Sequence, residues 1–264
     1  MKMLVVIAAC NEAASLEVFL PRLQSAVLGL YIHNVDTRIL IVDDGSTDQT
    51  SEVASKYDCI VLRNHKNSGI GVSLRRGYRE AVKGGYDVVA TMDADGQHSE
   101  KYLGVMIEKI RYGADIVVAS RYHPESKRVQ VPLDRDLLNL AVTAQVKMVT
   151  GWRITDPLSG FWMMRRQYFE FALKYGRQTR YGIHLEHWVK FWYLTKPRPL
   201  IVEVAHPAIY GNGSLLTRDY SPSNMEIRVE RFGTHALHLL EALEDVRRLY
   251  PKVDEEIFER RWGK

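Results

Sequence analysis

Tyr86-Asp87-Val88-Val89-Ala90-Thr91-Met92-Asp93-Ala94-Asp95-Gly96-Gln97-His98 decides the fold of this 264-residue chain. It is an apolar strand that gives out into two carboxylates. Residues two apart in an extended chain point to the same face, so Asp93 and Asp95 project together from its carboxyl end. Carboxylates held that close repel each other unless a cation lies between them. Gln97 adds a neutral oxygen two residues on. A set of oxygens suits Mg²⁺ or Mn²⁺, which keep several waters and share substrate phosphates. Taken alone, the stretch reads equally well as an acidic turn between strand and helix, with Gly96 supplying the bend.

The preceding sequence gives that stretch its setting. Residues 2–9 form a continuous apolar run, as in a strand buried on both faces, and end in Asn11-Glu12. Leu16, Phe19, Leu20, Leu23 and Val27 have helical spacing over residues 13–28, with Pro21 expected to interrupt. A second strand, 38–42, ends in Asp43-Asp44-Gly45-Ser46-Thr47-Asp48. Ser46 with Gln49 reads as a capping box, which leaves the two aspartates unexplained. A third strand covers 59–62. Gly69 and Gly71 then open a helix to about residue 83. They either present free N–H groups to an anion or form a plain helix entry. Leu74 stands where a dinucleotide fingerprint has its third glycine, and there is no P-loop lysine.

Beyond the central stretch come a helix (99–112) and a strand (115–119) ending in Ser120-Arg121-Tyr122. The alternation predicts an α/β fold, a mostly parallel Rossmann-like sheet with helices on both faces. Polar residues gather at the carboxyl ends of the first, second, fourth and fifth strands, where open parallel sheets bind ligands.

Residues 123–132 read as a polar, proline-bounded mobile loop. Residues 133–150 are helical, with Leu137, Leu140, Ala141, Ala144 and Met148 on one face. Thr155-Asp156-Pro157-Leu158-Ser159-Gly160-Phe161-Trp162 is a turn into a short strand. Residues 165–198 hold eight Lys or Arg against Glu170 and Glu186, interleaved with aromatics. Such a segment faces an anionic partner or membrane surface, or else it is a core stripe backed by solvated charge. A strand (200–205), a glycine-bearing loop (206–223) and a helical tail follow. The expected division is a domain over 1–222, in two halves that meet at 122–123, then a helical extension over 223–264.

The formal charge of +4 is too small to imply a partner, and two cysteines give no disulfide framework, so a reducing cytosol is the expectation. Residues 4–9 are too short for a signal peptide, and no apolar run reaches the length of a membrane span.

Together these motifs resemble family 2 glycosyltransferases of the GT-A fold, most closely the dolichol-phosphate mannosyltransferase-like, polyprenyl-phosphate branch, over roughly residues 3–215. The resemblance implies an inverting hexosyltransferase with a GDP- or UDP-linked sugar as donor, a nucleotide-sugar half to residue 122, an acceptor half from 123, and a 123–132 loop that closes over the bound donor. Ala8, Cys10, Asn11, Glu12, Val42, Asp44 and Ala94 would then line the nucleotide, with Asp44 and Val42 on the base. Asp93, Asp95 and Gln97 would form the metal set, and Arg121 and Arg135 would lie on donor and acceptor phosphates. Asp156-Pro157-Leu158-Ser159-Gly160-Phe161 is similar to the branch's acceptor-side turn. Glu186 falls near an acceptor-side carboxylate of related enzymes; it is a base, or a helix-surface glutamate salt-bridged to Arg or Lys. His184 and His187 lack the H-E-x-x-H spacing of a zinc site. The chain departs from the pattern in having Ala8 and Cys10 for the usual proline and tyrosine, in staying neutral from Gly211 until Arg218, and in lacking the C-terminal spans of some members.

The acceptor follows from the nucleophile. A phosphate monoester, with a second pKa of about 6, attacks without a general base, whereas a hydroxyl needs one. Arg121, Arg135, Arg165 and Arg166 outnumber the single candidate base, which favours a phosphorylated acceptor; the resemblance makes a polyprenyl phosphate, met at the cytoplasmic membrane face, the specific expectation. Contact would run through the basic aromatic segment or a small membrane partner subunit. A hydroxyl acceptor on a glycan or nucleic-acid base is the alternative. A non-catalytic nucleic-acid-binding module would leave the strand-end carboxylates unexplained, and a nucleotidyltransferase would need a glycine- and lysine-rich loop after the first strand.

Overall fold

The computed structural model describes residues 1–209 and 225–251. In chain order the elements are β1 (Lys2–Ala9), α1 (Ala13–Tyr31), β2 (Asp36–Asp43), α2 (Thr50–Ala54), β3 (Ile60–Arg63), α3 (Ile70–Lys83), β4 (Val88–Asp93) and α4 (Tyr102–Arg111). There follow β5 (Ile116–Ser120), β6 (Arg128–Val129), α5 (Leu133–Thr150), β7 (Trp162–Arg165), α6 (Arg166–Tyr175), α7 (Ile183–Leu194), β8 (Ile201–Ala205), β9 (Ala208–Ile209) and α8 (Met225–Leu249). Seven strands form one sheet in the order β3-β2-β1-β4-β7-β5-β8, and β6 pairs with β9 in a small parallel ribbon. Within the large sheet β7 alone runs antiparallel, wedged between β4 and β5.

The apolar runs explain the layers. In β1 and β2, Leu4, Val6, Leu40 and Val42 pack on one face with Leu74, Tyr78, Phe169 and Trp188. Met3, Val5, Ile7, Ile39 and Ile41 pack on the other with Leu16, Phe19, Leu23 and Ile107. A strand of period two covered on both sides must be apolar throughout. The register sets Ala8 beside Val42 on one side and Asp93 on the other, so the carboxyl ends of β1, β2 and β4 share one edge.

Several expectations are corrected. Pro21 does not interrupt α1, which runs unbroken through it. A proline deprives the carbonyl four residues back of its amide partner; the Tyr57 hydroxyl donates to that carbonyl, Glu17 O, at 3.3 Å. Ser46 does not cap α2, which begins at Thr50, and Asp48 accepts the Thr50 amide at 3.0 Å. The glycine entry to α3 offers no free anion cradle at its mouth. The Ser68 and Gly69 amides donate to Asp44, and Gly71 N donates to Thr179 O at 2.8 Å. A Cβ on Gly69 or Gly71 would strike the backbone of residues 178–179, so these glycines admit a close chain crossing.

Of the aromatics in 165–198, Tyr168, Phe169, Trp188, Phe191 and Tyr193 are buried, so the core alternative holds for them. Arg165 lies opposite Val88 in the β4–β7 register, at the sheet edge away from Asp93, and its guanidinium donates to Ala114 O at 2.9 Å. Arg165 and its neighbour Arg166 therefore leave the acceptor-side count. The α5 face named above points outward: Leu138, Val142, Val146 and Val149 pack inward, while Leu137, Leu140, Ala144 and Met148 are exposed. Within 123–132, β6 is tied to β9. The Gly211–Arg218 departure and residues 252–264 lie outside the described residues. Helix α8 packs through Leu239, Ala242, Leu243 and Val246.

Candidate active site

The carboxyl edge of the sheet gathers most of the sequence-predicted residues. Among the residues expected to line a nucleotide, Asn11 adopts φ +57°, a left-handed conformation that asparagine tolerates. Its side-chain oxygen accepts Thr47 N at 2.8 Å, its amide donates to Ser46 Oγ at 2.9 Å, and Glu12 N donates to Thr50 Oγ1 at 2.9 Å. Asn11 and Glu12 thus zip the β1 loop to the β2 loop. Asp44 is buried and accepts three hydrogen bonds, from Asn64 Nδ2, Ser68 N and Gly69 N. With about four lone-pair directions on a carboxylate, one remains for a base. Val42 is fully buried beneath it, Ala94 turns into the core, and Cys10 is half-buried with Asn67 Nδ2 donating to its sulfur at 3.3 Å.

Asp93 ends β4, and Asp95 stands in the following turn, where Gly96 at φ +72° makes the bend and Gln97 N donates to Asp95 Oδ1 at 3.0 Å. The Asp93 side chain keeps 42% of its surface open to solvent although protein surrounds it. Burial raises the pKa of both carboxyls; at Asp95 the charge of Asp93 raises it further, while Arg121 and Arg135 pull Asp93 back down. Gly160 leaves room for Asp93, since a Cβ there would lie 2.8 Å from Oδ1.

Arg121 is fixed from below. Its Nε and Nη2 donate to the two carboxylate oxygens of fully buried Asp156 at 2.7 and 3.0 Å, and its amide donates to Asp156 Oδ2 at 3.0 Å. Such a fork sets the guanidinium plane as well as its position. The turn carrying Asp156 rests on Glu203 of β8, which accepts Thr155 N at 2.9 Å and Asp156 N at 3.2 Å.

Two mutually repelling carboxylates, with a carboxamide two residues on in sequence, fit a hard divalent cation. Among the described residues no group of three or more His, Cys, Asp or Glu side chains is arranged to hold a metal. A cation on Asp93, Asp95 and Gln97 would therefore complete its shell with water and substrate phosphate oxygens.

Glu186 lies elsewhere. It is 1% exposed; Oε1 accepts Arg177 N and Lys190 Nζ, and Oε2 accepts Gln178 N at 3.1 Å. Lys190, buried too, reaches Asp245 of α8 at 2.8 Å. The salt-bridge alternative matches this arrangement, with the pair inside the protein rather than on its surface. Sequence reasoning missed Glu203, whose one signal is a charge in the middle of the apolar run 201–205.

The profile described as Glycosyl transferase family 2 matches residues 4–172 of this chain. The chain belongs to that family. A family relative, the dolichol-phosphate mannosyltransferase of Pyrococcus furiosus, is 34% identical over 176 residues, 64% of this chain and 48% of its own length. The undecaprenyl-phosphate mannosyltransferase of Micrococcus luteus is 32% identical over 166 residues, 61% of this chain and 65% of its own. The matches thus span about half to two thirds of these relatives. Glucosyl-3-phosphoglycerate synthase of Mycobacterium tuberculosis, solved with Mn²⁺, UDP and glucosyl-3-phosphoglycerate, superposes with a TM-score of 0.66 at 18% identity, over 91% of this chain and 79% of that one. At that identity the likeness concerns the GT-A type of fold.

Proposed function

We propose that this family 2 protein transfers a hexose, with inversion, from a nucleoside-diphosphate sugar to a polyprenyl phosphate at a membrane surface. One juxtaposition carries the reading. Arg135, in the first turn of α5, acts on the charge of Asp93. The exposed residues of the same helix are Leu133, Leu137, Leu140, Ala144, Lys147 and Met148, all apolar but one. A helix ordinarily turns polar residues to water. A carboxylate pair that suits a diphosphate-bound cation thus adjoins a helix face that suits lipid. The relatives named above act, by their names, on dolichol phosphate and undecaprenyl phosphate.

A divalent cation would neutralise the charge that develops on the departing nucleoside diphosphate. Asp93 and Asp95 would hold it with Gln97, and Arg121, its guanidinium plane set by Asp156, would bring positive charge to the phosphates. Around that edge Asp156 and Glu203 are committed to hydrogen bonds, and Glu186 is committed to Lys190. A nucleophile that arrives ionised needs none of them, as a phosphate monoester does near neutral pH. Among the described residues no helix is long and apolar enough to cross a membrane, so docking would rest on α5. Five of the nine rings in the basic aromatic segment lie in the core, which disfavours it as a stacking platform for nucleic acid.

The test pairs acceptors. Purified protein with Mn²⁺ and GDP-mannose or UDP-glucose is offered a short-chain polyprenyl phosphate and the matching polyprenol. Transfer to the phosphate alone is expected; equal transfer to the alcohol would replace the reading with a hydroxyl acceptor.

A further inference from the structure

The loop that carries the proposed metal set is held at both ends by imidazole nitrogens. Asp93 N donates to His98 Nδ1 at 2.9 Å, and Ser99 N donates to His206 Nε2 at 3.1 Å. Both rings are buried and close around Phe161, His98 stacked at 5.2 Å between centroids and His206 edge-on at 5.7 Å. His206 follows β8 directly, 107 residues beyond Ser99 in sequence. Its own amide donates to Ser120 O at 2.9 Å and to Ser126 Oγ at 3.2 Å. Two residues later β9 pairs with β6, and Ala208 N donates to Lys127 O at 2.9 Å.

We propose that His98 and His206 are positioning residues that clamp the loop 93–99 into its cation-binding shape, and that His206 ties that loop to segment 120–129 beside Arg121. The inference rests on the function proposed above. Its physical basis is that only an unprotonated ring nitrogen can accept an amide. Burial holds the His206 ring neutral, with a pKa lowered to about 3. Neither imidazole needs to touch the cation. Each fixes a backbone amide flanking the ligands, so the carboxylates are set before substrate arrives. Because one residue holds both the metal loop and the arginine segment, ordering either should order the other.

The experiment compares His206→Phe, which keeps a ring against Phe161 but has no acceptor, with His206→Gln, whose amide oxygen reaches about as far as Nε2. Mn²⁺ affinity is read by electron paramagnetic resonance with GDP or UDP present, and amide hydrogen exchange is read on metal-free protein. The expectation is a loss of about 10- to 100-fold in Mn²⁺ affinity for His206→Phe, the scale of lost outer-sphere support, with His206→Gln within about threefold of wild type. Exchange at Ser99 and across 121–129 should quicken together in the phenylalanine variant. Wild-type Mn²⁺ affinity in His206→Phe would overturn the clamp. So would Ser99 exchanging like an open loop in the metal-free wild type, a readout independent of how the variants fold. Failure of the wild type to bind Mn²⁺ at all would instead strike the proposed function, leaving the exchange arm to judge the clamp.

Discussion

Glu186→Gln separates two roles that predict opposite results. In the structure both carboxylate oxygens are occupied, by two backbone amides and the buried Lys190 ammonium. Glutamine retains one acceptor oxygen and turns an NH₂ toward a donor, which leaves a buried N–H unmatched at a cost of about 1–3 kcal/mol. Lys190→Met should be worse, about 3–5 kcal/mol, because it leaves Glu186 charged and unpaired inside the protein beside Asp245. At about 2–4 °C per kcal/mol for a chain of this size, the expected losses in Tm are about 2–12 °C and about 6–20 °C. Guanidinium denaturation gives the free energies, and sugar transfer per folded molecule, measured well below each Tm, gives the chemistry. A general base would behave differently, since its removal costs about 10²- to 10⁴-fold in rate with little change in stability. An unchanged denaturation midpoint with transfer down a hundredfold would refute the structural role.

Other consequences are checked more simply. Asp95→Asn should remove roughly 3 kcal/mol of transition-state stabilisation, as loss of an electrostatic stabiliser does, and undiminished transfer in excess chelator would contradict it. Gly160→Ala must displace the Asp93 carboxylate, 2.8 Å from the added methyl, so Mn²⁺ affinity should fall while the far-ultraviolet circular dichroism stays native. Burial lowers His98 and His184 to about 4 and His206 to about 3. The unfolded chain, with histidine near 6.5, binds protons there that the folded state refuses, so stability is lost as pH falls from 6.5 toward 4. Each of the three contributes about 1.3 kcal/mol of loss between pH 7.5 and 5.5. Asp93, Asp95 and Glu203, raised by burial, act in the opposite sense at lower pH. A Tm that rises from pH 7.5 to 5.5 would count against the buried neutral histidines.

Much of the fold is legible because buried parallel strands must be continuously apolar. Residues 2–9 and 88–92 announce themselves on that ground, and the carboxylates that end the latter point to the candidate site. What escaped the sequence depends on contacts between distant segments. Pro21 is tolerated because Tyr57 serves the carbonyl it strands, 40 residues away. The outward face of α5 has the same spacing as its inward one, and periodicity cannot say which of two apolar stripes is covered. Arg165 sits near Trp162 in sequence but at the opposite edge of the sheet, because β7 runs against its neighbours. Asp156, Glu203 and His206 show their parts only once β5, the 155–161 turn and the end of β8 lie side by side.

The reversed strand also bears on how the enzyme can be recombined. Met163 of β7 pairs with Ala90 on one side and Val117 on the other. A fragment ending at residue 122 would hold β4 and β5 with no strand between them, each offering an apolar, unpaired rim to any extended peptide nearby. Joining residues 1–122 to a foreign C-terminal portion therefore calls for splice points on either side of residues 155–165, with that turn and strand kept native. A crossover at 122 would instead leave both rims to a foreign strand that has to match β4 and β5 at once.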